Sequence, residues 1–290
     1  MRKGILLAGG TGSRLYPLTN NINKHLLPIY NKPMIYYSLS VLMLAGIREI
    51  FIISTKEGLP KFKKLFGDGS RLGVSISYGQ QNAPNGIAEA LLIAEKFIDG
   101  TSVALILGDN IFFGAGLGSR LQKIHDGQNA TIFCHEVKDP HRYGVVNLRK
   151  NGTIENIVEK PANPKSNYAV TGLYFYPNDA PKLARKLKPS DRGELEITDL
   201  NNLYLEQGRL NLENLSRGFS WHDAGTESAL LDASNFVAAI ESRQRLWIGC
   251  IEEIAWIMGW IEKEQIKEYL GKIKNSSYGK YLQSLISEIQ

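Results

Sequence analysis

Short uninterrupted apolar runs alternate with helical patterns through the first half of the chain. Residues 4–8 (GILLA), 49–54 (EIFIIS) and 103–107 (VALIL) are apolar at nearly every position rather than at every second one. Strands buried on both faces have this texture, as in a parallel sheet covered by helices. Between them, residues 33–45 (PMIYYSLSVLMLA) and 86–98, with Ala88, Leu91, Leu92 and Ala94, predict helices. The βαβα rhythm predicts an α/β fold, a Rossmann-like open and mostly parallel sheet flanked by helices. After residue 130 the texture changes. Short strands at 130–137, 144–148, 153–158, 170–176 and 210–215, with turn residues between them, predict an antiparallel section. From Thr226 onward the pattern is almost wholly helical, and Trp247, Ile248, Ile254, Trp256, Ile257 and Trp260 crowd together, which suggests burial against a neighbouring subunit. Without a clean linker or repeat, the simplest division is a single structural unit: an α/β core over 1–225 with a helical C-terminal extension over 226–290.

Composition narrows the class. With 43% hydrophobic and 22% charged side chains in 290 residues, the chain is an ordinary globular protein, neither disordered nor fibrous. No apolar run reaches the roughly 18 residues that span a bilayer. The stretch after Met1-Arg2-Lys3 is too short and too glycine-rich for a signal peptide. Cys134 and Cys250 stand far apart in no ligand pattern, against a disulfide framework or structural zinc. These features predict a cytoplasmic protein with no membrane partner. The net charge is +5, but residues 1–75 hold eleven Lys/Arg against three Asp/Glu. A basic region attracts nucleic acid, acidic lipid or a phosphorylated metabolite. Nothing resembles a basic arm or an aromatic RNA-binding motif, so the reading excludes nucleic acid and favours a small phosphate ester.

The first strand runs into Leu7-Ala8-Gly9-Gly10-Thr11-Gly12-Ser13-Arg14-Leu15. Glycines there let backbone N–H groups approach a phosphate without side-chain obstruction. Two familiar patterns fail on spacing. Gly12 is followed by Ser13-Arg14, not by the Lys-Ser/Thr of a P-loop, and Leu15 stands where a dinucleotide fingerprint needs its third glycine. A glycine turn alone is as consistent with a tight turn as with a phosphate cradle. Arg14 and Lys24 favour the cradle, the one with a bidentate fork and the other with a point charge. Asp109, just after the third strand, stands either at the ligand-binding carboxyl edge of the sheet or at a turn or helix cap. Asp223, ahead of a helix, is open to the same two readings. Two carboxylates converging on one polyphosphate would hold Mg²⁺, a hard cation that prefers oxygen ligands.

Taken in order, the glycine turn, Arg14, Lys24, Gly108-Asp109-Asn110, Glu159-Lys160-Pro161 and Trp221-x-Asp223-x-Gly225 resemble the sugar-1-phosphate nucleotidyltransferases. Leu26-Leu27-Pro28-Ile29-Tyr30, Arg142-Tyr143-Gly144-Val145-Val146, Tyr168-Ala169-Val170-Thr171-Gly172 and Gly193-Glu194-Leu195-Glu196-Ile197-Thr198-Asp199 resemble the glucose-1-phosphate thymidylyltransferase branch. The resemblance runs over nearly the whole chain. It implies transfer of dTMP from dTTP to glucose 1-phosphate, with Mg²⁺ as cofactor, a homotetrameric assembly, and a product feeding deoxysugar and polysaccharide synthesis.

The same resemblance implies roles residue by residue. Leu7, Gly9, Gly10, Thr11, Gly12, Ser13 and Arg14 would cradle the nucleotide, with Lys24 beside its phosphates. Gln81 and Gly86 would read the pyrimidine, since an amide offers both a donor and an acceptor. Asp109 and Asp223 would ligate Mg²⁺. Asn110, Gly144, Glu159 and Val170 would contact the sugar hydroxyls, with Tyr174 and Trp221 as walls of that pocket. Lys160 and Arg192 would grip the sugar phosphate. There are departures: His25 for the usual Gln, Val158 for the first Glu of Glu-Glu-Lys-Pro, His222-Asp223-Ala224 for Leu-Asp-Thr, and Gln81-Asn82-Ala83-Pro84-Asn85-Gly86 for Gln-Pro-Ser-Pro-Asp-Gly. None removes an implied ligand, and His25 reads as an exposed, neutral substitution.

Overall fold

The computed structural model describes residues 2–124 and 127–288, so the outermost ends of the first and last predicted segments lie outside it. The apolar runs become the centre of a sheet that has nine strands among the described residues. Ser75–Gln80, Glu49–Ser54, Lys3–Ala8 and Val103–Leu107 lie side by side in that order, all parallel. Side chains of the first strand leave alternately to two cores: Leu6 and Ala8 to one face, Ile5 and Leu7 to the other. A strand covered on both faces needs apolar residues at every position, and this is why its run is unbroken.

The long strand Tyr168–Tyr176 joins antiparallel to Val103–Leu107 and carries the second half of the sheet. Gly144–Leu148 and Ile154–Glu159 form a hairpin beyond it, while Ala130–Glu136 pairs with it antiparallel and with Leu210–Asn214 parallel. On one face lies the helix Ile35–Leu44, and on the other the helix Ile197–Glu206. The helix predicted over 86–98 is shorter and broken, into Glu89–Ile93 and Glu95–Ile98. Its first turn does not form because Gly86 stands at φ +107°, outside the helical region, and the Asn85 carbonyl that a helix would use accepts instead from Leu195 N at 2.6 Å.

Three features escaped the hydrophobic pattern. Ser75–Gln80 is an edge strand, and its half-exposed side chains carry no continuous apolar signal. Asn110–Gly114 and Phe219–Asp223 form a separate two-stranded antiparallel sheet. The helix Glu227–Arg243, capped by the Thr226 side chain, covers it through Ala233 and Val237, which pack with Ile111 and Ala224. Finally, the crowded apolar residues of the C-terminal region find most of their partners within this chain. Trp247, Ile254, Trp256 and Trp260 pack against the core around Ile35–Leu44 and Ile248 is buried in another cluster, whereas Ile257 is 70% exposed.

Candidate active site

The chain runs from the first strand outward through Glu49–Ser54 to Ser75–Gln80, then returns to the opposite side of the first strand as Val103–Leu107. That reversal opens a crevice at the carboxyl ends of Lys3–Ala8 and Val103–Leu107, the place where open α/β sheets bind ligands. Leu7 and Leu107 are paired there, and Gly108 N donates to Leu7 O at 2.9 Å. The glycine loop and Asp109 therefore leave the sheet side by side. Gly12, at φ +64°, turns the chain into the single 3-10 turn Ser13–Leu15, and a Cβ there would meet Thr19 Cγ2 at 2.9 Å.

Asp223 arrives by another route. The two-stranded sheet sets Asp223 opposite Asn110, and Ala224 N donates to Asp109 O at 3.0 Å. A Cβ on Gly225 would lie 3.1 Å from Asp223 Oδ1 and 3.8 Å from Asp109 Oδ2, so the two carboxylates flank one point. Their surroundings differ. Burial works against the Asp109 anion, but Lys24 Nζ at 2.5 Å from Oδ2, the neighbouring His25 and the Asn110 amide at 2.9 Å from Oδ1 outweigh it. The Asp109 carboxyl is held well below the usual range. Asp223 is pushed up by burial and by the Asp109 charge, against the pull of Lys24, Arg142 and Arg14. Two oxygen-donor carboxylates, one firmly ionised, suit a hard divalent cation that takes its remaining ligands from phosphate and water.

Two adjoining cavities share Lys24, Ile87, Leu107, Asp109 and Glu194. The larger, about 380 Å³, takes in Gly12, Ser13 and Arg14 at one end and Gly144, Glu159, Lys160, Val170, Tyr174 and Arg192 at the other. Trp221 is part of its wall, and its indole N–H donates to Asn110 Oδ1 at 2.6 Å. Asn110 Oδ1 also accepts from Gly172 N at 3.0 Å, so the Asn110 amide is held mainly by protein. Glu159 Oε2 accepts from Thr198 at 2.5 Å, and Oε1 lies 3.1 Å from Lys160 Nζ and 3.2 Å from Arg192 Nη2. Arg192 is held further by Glu196 at 2.8 Å. Lys160 follows its strand at φ +41°, a backbone state uncommon outside glycine and frequent at functional sites. Tyr174 is buried with its ring stacked on Tyr176.

The smaller cavity, about 200 Å³, is lined by Leu7, Gly9, Gly10, Gln81, Pro84 and Gly86 among others. Thr11 faces an adjoining recess that it shares with Gly10 and Gln81. His25 corrects the sequence reading. It is 2% exposed and lines this cavity, with Nδ1 2.9 Å from Asn23 Oδ1. Burial, with the Lys24 charge, lowers its pKa to about 3. Its neighbourhood is made by the bare Gly108, where a Cβ would meet His25 Cδ2 at 2.6 Å.

Sequence reasoning gave no role to Arg142, Glu194 or Thr198, which line the larger cavity. The Arg142 guanidinium lies 3.9 Å from Asp223 Oδ2, and its buried Nη2 makes no hydrogen bond among the described residues. Its position after a proline in a short turn has no periodicity to mark it.

A sheet reversal with a glycine loop, two adjacent carboxylates and cations on both sides is chemically suited to a ligand that carries phosphate. The nucleotidyl transferase family model matches residues 3–240, and the chain belongs to that family. It is 51% identical to the glucose-1-phosphate thymidylyltransferase of Neisseria meningitidis over 99% of this chain and 100% of that protein. The enzyme of the same name from Mycobacterium tuberculosis is 51% identical over 98% and 99% of the two chains. A Bacillus anthracis crystal structure carrying that enzyme name, in complex with sucrose, superposes with a TM-score of 0.76 at 43% identity, covering 83% of this chain and 96% of that one. A UDP-glucose pyrophosphorylase complexed with UDP-glucose gives 0.70 at 26% identity, covering 84% and 100%.

Proposed function

We propose that the protein transfers dTMP from dTTP to α-D-glucose 1-phosphate, giving dTDP-glucose and pyrophosphate. The observation that carries this reading is the pairing of Asp223 with Asn110, which places two carboxylates beside Lys24 at the sheet reversal, between the glycine loop and the Glu159–Lys160–Arg192 group. Full-length relatives with that activity in their name support it.

A phosphate oxygen of glucose 1-phosphate attacks the α-phosphorus of dTTP, forming one P–O bond as the bond to pyrophosphate breaks. The nucleophile belongs to the substrate, so no activated Ser or Cys is required, and catalysis is positioning plus charge stabilisation. Lys24 and Arg14 neutralise the nucleotide phosphates. Lys160 and Arg192 receive the sugar phosphate, with Arg192 first released from its carboxylates. Asp109 and Asp223 would hold Mg²⁺, which when bound would supply charge neutralisation where two anions meet.

UTP is the second reading, favoured by the structural likeness to the UDP-glucose pyrophosphorylase. Thymine and uracil present the same hydrogen-bonding edge and differ by a methyl. Pyrophosphate release from dTTP with glucose 1-phosphate, run in parallel with UTP, tests both. A higher kcat/KM with dTTP is expected, and a clear preference for UTP overturns the assignment. Family resemblance supports a homotetramer, which light scattering on the purified protein tests.

A further inference from the structure

The base end of the cleft holds a carboxylate that the transfer reaction does not use. Glu89 opens the helix Glu89–Ile93 and is half-buried behind the cavity wall. Its Oε2 accepts from Gln81 Nε2 at 2.8 Å and its Oε1 from Asn85 Nδ2 at 2.8 Å, so both oxygens are tied. The loop between is itself pinned, because Leu195 N donates to Asn85 O at 2.6 Å.

An ionised carboxylate accepts hydrogen bonds and cannot donate them, whereas an amide has one accepting and one donating end. The Gln81 amide therefore has a single orientation, with Nε2 towards Glu89 and Oε1 towards Gly9. Oε1 lies 2.2 Å from where a Cβ on residue 9 would stand, so it occupies space that only a glycine leaves free on the cavity wall. Turning the amide over would set Oε1 against Glu89 Oε2 with no proton between them. At Gln81, only 6% exposed, water would relieve little of that repulsion.

We infer that Glu89 sets the base selectivity of this site by fixing the face that Gln81 shows to the base. That face is the Oε1 acceptor with the second N–H of Nε2 beside it. It matches the imide edge of a 2,4-dioxopyrimidine, where N3–H donates and a neighbouring carbonyl accepts. A 4-aminopyrimidine carries the inverse pattern, with N3 accepting and the amino group donating. A freely rotating glutamine amide would serve either base; one held by Glu89 meets the aminopyrimidine acceptor to acceptor and donor to donor. Selectivity here comes from rejection as much as attraction. Glu89 is a positioning residue that acts through Gln81, and the inference rests on the proposed thymidine-nucleotide reading of the cleft.

The test measures kcat/KM for dTTP and for dCTP with glucose 1-phosphate in wild type, Glu89→Gln and Gln81→Ala. Glu89→Gln keeps size and packing, but its own amide can meet either end of Gln81. The dTTP-to-dCTP ratio is expected to fall about tenfold or more, chiefly through better use of dCTP, because stranding a buried polar group has roughly that effect. Gln81→Ala is expected to collapse the same ratio by slowing dTTP. A purely structural Glu89 would slow both nucleotides together, so an unchanged ratio in Glu89→Gln beside a collapsed ratio in Gln81→Ala overturns the inference and leaves the site reading intact. An unchanged ratio in Gln81→Ala removes the base-reading role itself, and the inference with it.

Discussion

Asp109 and Asp223 are chemically identical residues that the fold places in opposite circumstances. One is ionised against Lys24, and the other has its pKa pushed up by burial and by the first. Replacing either with Ala is expected to leave a folded protein with at least about a hundredfold loss of turnover, the scale of one preorganised electrostatic contact. Pyrophosphate release, with circular dichroism to verify folding, checks this, and normal turnover in both variants removes these carboxylates from the chemistry. Arg14→Lys keeps the charge but loses the planar fork, so turnover should still fall. His25 carries a pH signature. Its folded pKa of about 3 lies below the unfolded value near 6.5, so only the unfolded chain takes up a proton between these limits. The His25 contribution to stability is thus flat above about pH 6.5 and falls by up to roughly 1.4 kcal/mol per pH unit between there and about pH 3. Denaturant unfolding at pH 5 and pH 8 should show His25→Gln gaining on wild type at the lower pH. Equal shifts in both proteins would place the titration elsewhere.

Between the elements, a buried ion pair fastens the helix Glu227–Arg243 to the short strand Lys32–Pro33. Lys32 Nζ lies 2.8 Å from Glu241 Oε1, and that carboxylate also accepts from Asn31 Nδ2 at 2.6 Å and Ile248 N at 3.0 Å. Burial lowers the Lys32 pKa while Glu241 opposes the change, so the ammonium depends on its partner. Glu241→Ala is expected to cost about 3–5 kcal/mol, since it leaves a buried cation without a counter-charge. The double variant Lys32→Met with Glu241→Leu should recover much of that loss in denaturant unfolding. At this scale the sequence was legible where burial is continuous: the runs at 49–54 and 103–107 became strands with those same bounds. It was illegible where a backbone contact from Leu195 delays a helix, or where a strand such as Ser75–Gln80 lies half in solvent.

Across the whole molecule, Ile251, Ile261, Ile266, Leu270, Leu282 and Ile286 complete the same core as Leu39 and Leu42. A chain ending at Arg243 would expose that face. Each lost burial is worth about 1.5–3 kcal/mol, so the total rivals the 5–15 kcal/mol stability of a typical domain. Such a truncation is expected to abolish the cooperative thermal transition, and a stable, active fragment would show that the C-terminal helices are dispensable. The sequence by itself determined what depends on near neighbours: buried strands from unbroken apolar runs, the glycine loop after the first strand, and the residue types that carry phosphate and metal chemistry. The tertiary structure alone decided which of those residues meet. Asp109 reaches Asp223 only through the register of two strands distant along the chain, Gln81 faces one way only because Glu89 accepts its N–H, and His25 is buried because Gly108 makes room for it. Spacing encodes local geometry, whereas register and burial emerge from the packing of segments that no local pattern relates.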